Sequence, residues 1–192
     1  AIKPAMFDAE LYRFKVNQTA GIDLVTGSAT NYYAGVTQAE VEKFYASKHN
    51  PKDTRPVMHG LNSQVTKDAD GKVYERVWKI GGMYSAALEK IVYWLEKAAS
   101  VAESDKQKET IEMLISYYKS GDLKEFDQFN ILWLNWANEQ IDFVNGFTED
   151  YGDPLGMKGA WEAVVNFKNL EATKRAETLS AAAQWFEDNS PI

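Results

Sequence analysis

The clearest pattern along the chain is a stripe of apolar residues that begins shortly after Gly82. Between Leu88 and Ala102 apolar positions recur at spacings of three and four residues, which is the period of one face of an α-helix. A second stripe follows Ser104, a good helix cap, and runs to Tyr118, just before Gly121. Glycine commonly follows the last turn of a helix. The two stripes therefore predict two consecutive amphipathic helices.

The C-terminal third is also predicted to be helical. Residues 123–147 are rich in large apolar and aromatic side chains, which is typical of one or two strongly buried helices. A glycine-rich loop is predicted over 148–159. A last helix is expected from about Ala160 to Phe186. The apolar residues on which the first of these predictions depends are Phe126, Phe129, Leu132, Trp133, Trp136, Ile141, Phe143, Val144 and Phe147.

The N-terminal part gives weaker signals. Residues 1–36 contain scattered glycines and a polar–aromatic stretch, and we expect irregular structure with short extended pieces. Thr37 is followed three residues later by Glu40, the pattern of a capping box at the start of a helix. This pattern predicts a short helix that ends near Lys48.

A β-hairpin is predicted over residues 63–80. The segments 63–67 and 73–80 flank Asp68-Ala69-Asp70-Gly71, and the second of them is rich in β-branched and aromatic residues. The chain shows no internal repeat and no linker composition. We therefore expect one unit over residues 1–192 with a mainly α (α+β) fold: a helical bundle-like arrangement with one β-hairpin and an irregular N-terminal segment.

Composition and charge exclude several classes of function. The 192 residues include 28 acidic and 21 basic side chains, which gives a net charge of -7. This charge disfavours nucleic acid as a partner, because phosphates require a basic surface. The chain has no cysteine, which excludes disulfides, thiolate zinc sites and cysteine nucleophiles. No apolar run approaches the about 20 residues that a membrane span needs.

Metal-binding patterns are missing from this sequence. The only histidines, His49 and His59, have a spacing that fits no helix face and belong to no HExxH motif. Asp68-Ala69-Asp70-Gly71 resembles half of an EF-hand loop, but Thr66 and Val77 stand where acidic ligands are required. Phosphate-binding glycine motifs and a nucleophile elbow are also absent. We therefore predict no metal site within this chain.

One segment, residues 145–159, is too long and too rich in glycine for a simple connection between helices. Glu149 and Tyr151 flank a single residue, so an extended conformation would point both side chains to the same side. A carboxylate next to a phenol can bind an ammonium group and donate a hydrogen bond to an oxyanion. The alternative is a capping loop whose acidic residues complement the dipole of the following helix.

The same segment resembles a known family. Residues 146–159, followed by Glu162 and Val164-Val165-Asn166, match the pattern GF-x-E-x-Y-x-DP-x-G-xx-G…E…VVN of dipeptidyl peptidase III enzymes. A weaker similarity covers Gly27, Thr30, Tyr32 and Tyr33. The resemblance implies a two-lobed zinc exopeptidase that releases dipeptides from the amino ends of peptides. Its zinc ligands and general base lie on an HExxGH helix and a later glutamate, neither of which occurs in this chain.

The resemblance also implies roles for individual residues. Glu149 matches the glutamate that holds the free amino terminus of the substrate. Tyr151 matches the tyrosine that polarises the scissile carbonyl and stabilises the oxyanion, and it is the predicted catalytic residue. Asp153 and Pro154 are expected to shape the loop without a chemical role.

By the same resemblance, the chain is expected to be part of the substrate-side lobe of a larger peptidase and to be inactive alone. Its expected partners are the peptide substrate and the remaining lobe of the same polypeptide. Zinc is expected in the parent enzyme, with none bound by this fragment, and the family favours a cytoplasmic location. The alternatives are a non-enzymatic helical binding module and a helical scaffold without a ligand. Neither of them explains the match from Glu149 to Asn166.

Overall fold

The computed structural model describes residues 2–11, 13–135 and 139–191, and these residues form an α+β fold. The fold class predicted from the sequence is confirmed. The helices are Lys3–Phe7 (α1), Gln38–Ala46 (α2), Ser85–Ala99 (α3), Asp105–Ser120 (α4), Leu123–Asn135 (α5), Leu170–Ala181 (α6) and Ala183–Asp188 (α7). The strands are Tyr33–Ala34 (β1), Ser63–Lys67 (β2), Val73–Val77 (β3), Ile141–Glu149 (β4) and Ala160–Phe167 (β5).

The predicted local signals act where they were expected. The backbone amide of Thr37 donates to Glu40 Oε2 at 2.9 Å, and the amide of Glu40 donates to Thr37 Oγ1 at 3.4 Å, so the capping box of α2 is formed. The Ser104 hydroxyl accepts from the amide of Gln107 at 3.1 Å and begins α4. Helix α4 ends at Gly121, whose φ of 73° lies in the left-handed region that glycine adopts at little cost.

The strands form two small sheets. In the first sheet, β1 lies parallel to β2 with Tyr33 opposite Val65, and β2 pairs antiparallel with β3 with Val65 opposite Glu75. The pairing of β2 with β3 confirms the predicted hairpin. The second sheet consists of β4 and β5, which pair antiparallel with Phe147 opposite Trp161.

The second hairpin corrects the prediction for the C-terminal third. Helix α5 fulfils the first half of the buried helical segment predicted over 123–147, but its second half is β4. The helix predicted from Ala160 to Phe186 begins as β5 and becomes helical only at Leu170. Both strands are rich in aromatic and β-branched residues, which fit a pleated surface, and pairing across the loop gives each strand its partner. Trp136 lies outside the described residues.

The larger core lies between α3, α4, α5 and the second hairpin. Its centre is on α4, where Leu114, Tyr117 and Tyr118 are completely buried. The Tyr118 hydroxyl donates to Asn145 Oδ1 and accepts from Trp161 Nε1 at 2.9 Å. A single buried tyrosine therefore fixes β4 and β5 on the helical layer.

A smaller core lies between α2 and the first sheet. Its buried members are Val25, Val36, Val41, Tyr45 and Val65. Two residues of the loop between β4 and β5, Leu155 and Met157, pack against this cluster. The loop therefore contacts the first sheet although its flanking strands form the second.

The helices of the described segments include none that combines the length and apolar character needed to cross a lipid bilayer.

Candidate functional site

The candidate site begins at Glu149, the last residue of β4. Glu149 pairs with Ala160, and a β-bulge separates this pair from the preceding pair of Phe147 with Trp161. A bulge changes the direction of the side chains that follow it. Tyr151 lies two residues later, in a turn, and 76% of its surface is exposed. The extended conformation assumed over 149–151 therefore ends at Glu149, and strand alternation does not set the direction of Tyr151.

A second carboxylate faces Glu149 from the partner strand. Partial burial, together with hydrogen bonding and repulsion from Glu162 and the charge of Asp150, raises the pKa of Glu149. The Thr148 hydroxyl donates to Glu162 Oε1 at 2.8 Å and holds that carboxylate in place. The arrangement concentrates negative charge at the end of the hairpin. Such a cluster favours a bound cation, whether a proton or an ammonium group.

Glu162 is a site residue that reasoning from the sequence missed, although it is part of the quoted motif. Its proximity to Glu149 follows from the pairing of β4 with β5. The helix predicted over 160–186 would not have placed Glu162 on a strand beside Glu149. A strand pattern in residues 141–147 and 160–167 was the sequence signal that could have predicted this pairing, and with it the proximity of the two carboxylates.

The turn that carries Tyr151 packs closely on the N-terminal segment. A Cβ atom built at Gly152 would lie 3.3 Å from the Tyr32 hydroxyl and 3.4 Å from Lys15 Nζ, so any side chain there would be crowded. Burial, with the charges of Asp153, Tyr84 and Tyr151, raises the pKa of Tyr32. Glycine at position 152 therefore permits the close approach of the turn that carries Tyr151 to Tyr32.

Asp153 shapes the loop, as expected from the sequence. It is only 4% exposed, and its Oδ2 accepts from the backbone amides of Met157 at 2.8 Å and Lys158 at 2.9 Å. The same oxygen accepts from the Tyr33 hydroxyl at 2.8 Å. Pro154 contributes its carbonyl, which accepts from Gln18 Nε2 at 2.9 Å. One carboxylate thus closes the loop on itself and joins it to β1.

The far end of the loop carries a buried lysine. Lys158 is 0% exposed, and its Nζ donates to the Tyr45 hydroxyl and to Ser63 Oγ, the latter at 3.1 Å. The hydroxyls of Tyr45 and Ser63 each donate to Glu75 Oε1 at 2.7 Å. Lys48 forms an ion pair with the other oxygen of Glu75. Burial lowers the pKa of Lys158 to about 8, against the opposing effect of nearby carboxylates.

The residues present do not fit the zinc ion that the family resemblance implies. Over 2–11, 13–135 and 139–191, no three His, Cys, Asp or Glu side chains are grouped so that they could hold a metal ion. His49 and His59 belong to no such group, and neither do the acidic residues around Glu149. We therefore assign no step of a reaction to a metal held by this chain.

Comparison with known proteins identifies the family. The family model described as Peptidase family M49 matches residues 45–191. Dipeptidyl peptidase 3 of Dictyostelium discoideum is 27% identical over 188 residues, a match that covers 89% of this chain and 27% of that protein. Dipeptidyl peptidase 3 of Homo sapiens is 28% identical over 103 residues, or 54% of this chain and 14% of the human protein. The chain thus spans a small part of these relatives.

Two solved structures share the fold. Dipeptidyl-peptidase III from Corallococcus sp. strain EGB superposes with a TM-score of 0.59 at 24% identity, covering 91% of this chain and 31% of that one. DPP III from Caldithrix abyssi gives a TM-score of 0.59 at 19% identity, with 93% and 34% covered. At these identities the structures support the fold alone. The family model, which covers well over half of the residues, shows that the chain belongs to peptidase family M49.

Proposed function

We propose that this chain forms part of the substrate-side wall of a peptidase that releases dipeptides from the amino ends of peptides. The observation that carries the proposal is the paired carboxylates Glu149 and Glu162 at the bulged end of β4, followed directly by the exposed phenol of Tyr151. Membership of family M49 supports a peptidase rather than a passive scaffold.

Glu149 is the proposed contact for the amino terminus of the substrate. Partial burial and repulsion from the neighbouring carboxylates of Glu162 and Asp150 raise its pKa. A substrate ammonium group would relieve this repulsion and form a charge-assisted hydrogen bond, which is roughly twice as strong as a neutral one. A carboxylate pair at a strand end therefore selects peptides with a free amino end and rejects blocked ones.

Tyr151 is the proposed hydrogen-bond donor to the scissile carbonyl. Its side chain is 76% exposed on the loop, so the hydroxyl is free to meet a substrate. Donors placed where negative charge develops contribute roughly 2.7–4 kcal/mol to transition-state stabilisation. The buried contacts of Asp153 and Lys158 hold the rest of the loop and reduce the reorganisation that such a donor requires.

The zinc ion and the residues that activate water belong, in this proposal, to the part of the polypeptide outside this chain. The relatives are much longer than the matched region, which leaves ample chain for a second lobe. This chain supplies substrate contacts, and the remaining lobe is its partner.

The direct test of the proposed reaction uses the full-length protein that contains this chain. A free peptide and its N-acetylated form are incubated with the protein, and products are identified by mass spectrometry. The proposal predicts release of an intact dipeptide from the amino end of the free peptide only. Internal cleavage, removal of single residues, or equal cleavage of the acetylated peptide would contradict it.

A further inference from the structure

We propose that Lys158 is a positioning residue for Tyr151, acting through the buried network that joins the loop between β4 and β5 to α2 and the first hairpin. The inference rests on the proposed function of Tyr151 and adds the means by which its loop is held. Lys158 touches no solvent, so its role is to fix the loop rather than to meet the substrate.

The ammonium group of Lys158 donates to two hydroxyls and lies near two aromatic rings. Its Nζ donates to the Tyr45 hydroxyl and to Ser63 Oγ at 3.1 Å. The same nitrogen lies 4.7 Å from the centre of the Tyr45 ring and 5.7 Å from that of Tyr33, within the range of a cation–π contact. The lysine is therefore held by two hydroxyls and two aromatic rings, and the hydroxyls stand between it and Glu75.

Two hydroxyls bridge Lys158 to the partly buried carboxylate of Glu75. Tyr45 and Ser63 accept from the lysine and donate to the same oxygen, Glu75 Oε1, each at 2.7 Å. Burial alone would raise the pKa of Glu75, but donation from Lys48, Ser63 and Tyr45 lowers it overall. The carboxylate is thus kept ionised, and the two hydroxyls are oriented with their oxygens toward Lys158.

The backbone at Gly60 packs closely against this network. A Cβ atom built at Gly60 would lie 2.6 Å from the Tyr45 hydroxyl and 3.0 Å from Lys158 Nζ. The amide of Gly159, next in the chain, donates to the carbonyl of Leu61 at 2.8 Å. Side chain and backbone therefore both attach this end of the loop to the segment before β2.

The attachment reaches Tyr151 through Asp153. Asp153 Oδ2 accepts the amide of Lys158 at 2.9 Å, and the amide of Asp153 donates to the carbonyl of Asp150 at 3.0 Å. These contacts link the fixed end of the loop to the residue just before Tyr151. The charged groups that surround Lys158 are Glu75, Asp153 and Lys48, and its other titratable neighbours are Tyr33 and Tyr45.

Replacement of Lys158 by methionine would leave the hydroxyl oxygens of Tyr45 and Ser63 without the donor that they accept from. Buried hydroxyls that lose a hydrogen-bond partner are costly, and the loop end that carries position 158 can relieve the cost by moving away from them, which exposes Asp153 to water. The amides bonded to Asp153 would then open, and Tyr151 would lose its fixed position. A misplacement of about 1 Å can cost roughly a hundredfold in rate.

The test uses Lys158→Met, Tyr151→Phe and the double variant in the full-length protein, with Lys72→Met as a matched control on an exposed turn of the first hairpin. We expect Lys158→Met to lower kcat about tenfold or more with little change in KM. The same substitution should have almost no further effect in the Tyr151→Phe background, because coupled residues are not additive. The control should behave as the unmodified protein does.

Hydrogen exchange provides a second readout that does not depend on catalysis. The amides of Leu155 and Met157, both bonded to Asp153, should lose about tenfold in protection in Lys158→Met while amides of α4 keep theirs. Unchanged loop protection, or kcat losses that multiply in the double variant, would overturn the positioning role. If the protein cleaves no dipeptides at all, the proposed function fails, but loop exchange still decides whether Lys158 holds the loop.

If Lys158→Met does not fold, a second variant, Tyr45→Phe, still tests the proposal. Tyr45→Phe removes one acceptor of the lysine and keeps the ring and the charge. It should loosen the same loop amides by a smaller factor, about threefold. Full protection of those amides in Tyr45→Phe would then count against the proposal.

Discussion

The Tyr33 hydroxyl donates to Asp153 Oδ2 at 2.8 Å and joins strand β1 to the loop that carries Tyr151. The two residues are far apart in the sequence. Because Asp153 is buried, this contact helps to fix the loop in place. Burial and the Asp153 charge raise the pKa of Tyr33, which favours the protonated hydroxyl that donates this bond.

Asp153→Asn should destabilise the protein. An amide has one acceptor oxygen in place of two and presents an NH2 group to neighbours that are donors, so buried groups lose their partners. We expect a loss of about 1–3 kcal/mol in the free energy of unfolding, measured by urea denaturation. Tyr33→Phe, which removes one donor only, should cost less. An Asp153→Asn variant as stable as the unmodified protein would show that the carboxylate does not hold the loop.

Glu149→Gln should weaken binding of peptides with a free amino end in the full-length protein. Loss of a charge-assisted hydrogen bond is expected to raise Kd about tenfold or more, since such bonds contribute roughly 1.5–3 kcal/mol. N-acetylated peptides provide the comparison, and their weaker binding should not change. Calorimetry with both peptides makes the measurement, and an equal loss for both would refute the amino-terminus contact.

Glu162→Gln should move the acid limb of the pH profile of kcat/KM to lower pH. Glu149 must be ionised to bind an ammonium group, and its pKa is raised by partial burial, by Glu162 and by Asp150. Removal of the Glu162 charge lowers the pKa of Glu149, so the ionised form persists at lower pH. Glu177→Gln, on the exposed face of α6, is the control. An unchanged limb, or one displaced to higher pH, would disprove the coupling of the two carboxylates.

The stability of the protein should rise with pH because of Lys158. Burial lowers the pKa of Lys158 from 10.5 to about 8, so between these values the unfolded chain binds a proton that the folded chain has released. Linkage then adds stability as pH rises, by about 2 kcal/mol between about pH 8 and 9.5. Measurements should stop below about pH 10, where ionisation of the buried tyrosines begins to favour the unfolded chain.

Urea denaturation of the unmodified protein and of Lys158→Met at the same pH values isolates this effect. The difference in free energy of unfolding between the two proteins should change in favour of the unmodified protein as pH rises. A difference that is constant with pH, or that changes in the opposite sense, would contradict a lowered pKa of Lys158.

Local sequence signals predicted much of the fold. The capping box at Thr37, the cap at Ser104 and the glycine after α4 each act through neighbours a few residues away, and all three signals mark ends of helices as expected. The strands β4 and β5 were missed for the opposite reason. Short apolar runs fit a buried helix as well as a strand, and the choice depends on a pairing partner across a long loop.

The candidate site divides in the same way. Glu149 and Tyr151 were singled out because they lie close together in a distinctive segment. Glu162 approaches Glu149 only through the register of the second hairpin. Lys158 contacts Tyr45, from which it is separated by 113 positions in the sequence. No local pattern predicts such a contact. Glu149, Tyr151 and the loop-shaping Asp153 were therefore visible in the sequence, whereas Glu162 and Lys158 were not.

The central claim is that Tyr151 stabilises negative charge on the scissile carbonyl oxygen. The most direct test is the steady-state kinetics of Tyr151→Phe in the full-length protein with a peptide that has a free amino end. Loss of a single oxyanion donor should lower kcat about a hundredfold or more while KM stays within about threefold. A variant with normal kcat, whose only defect is a raised KM, would contradict the claim and leave Tyr151 as a binding contact.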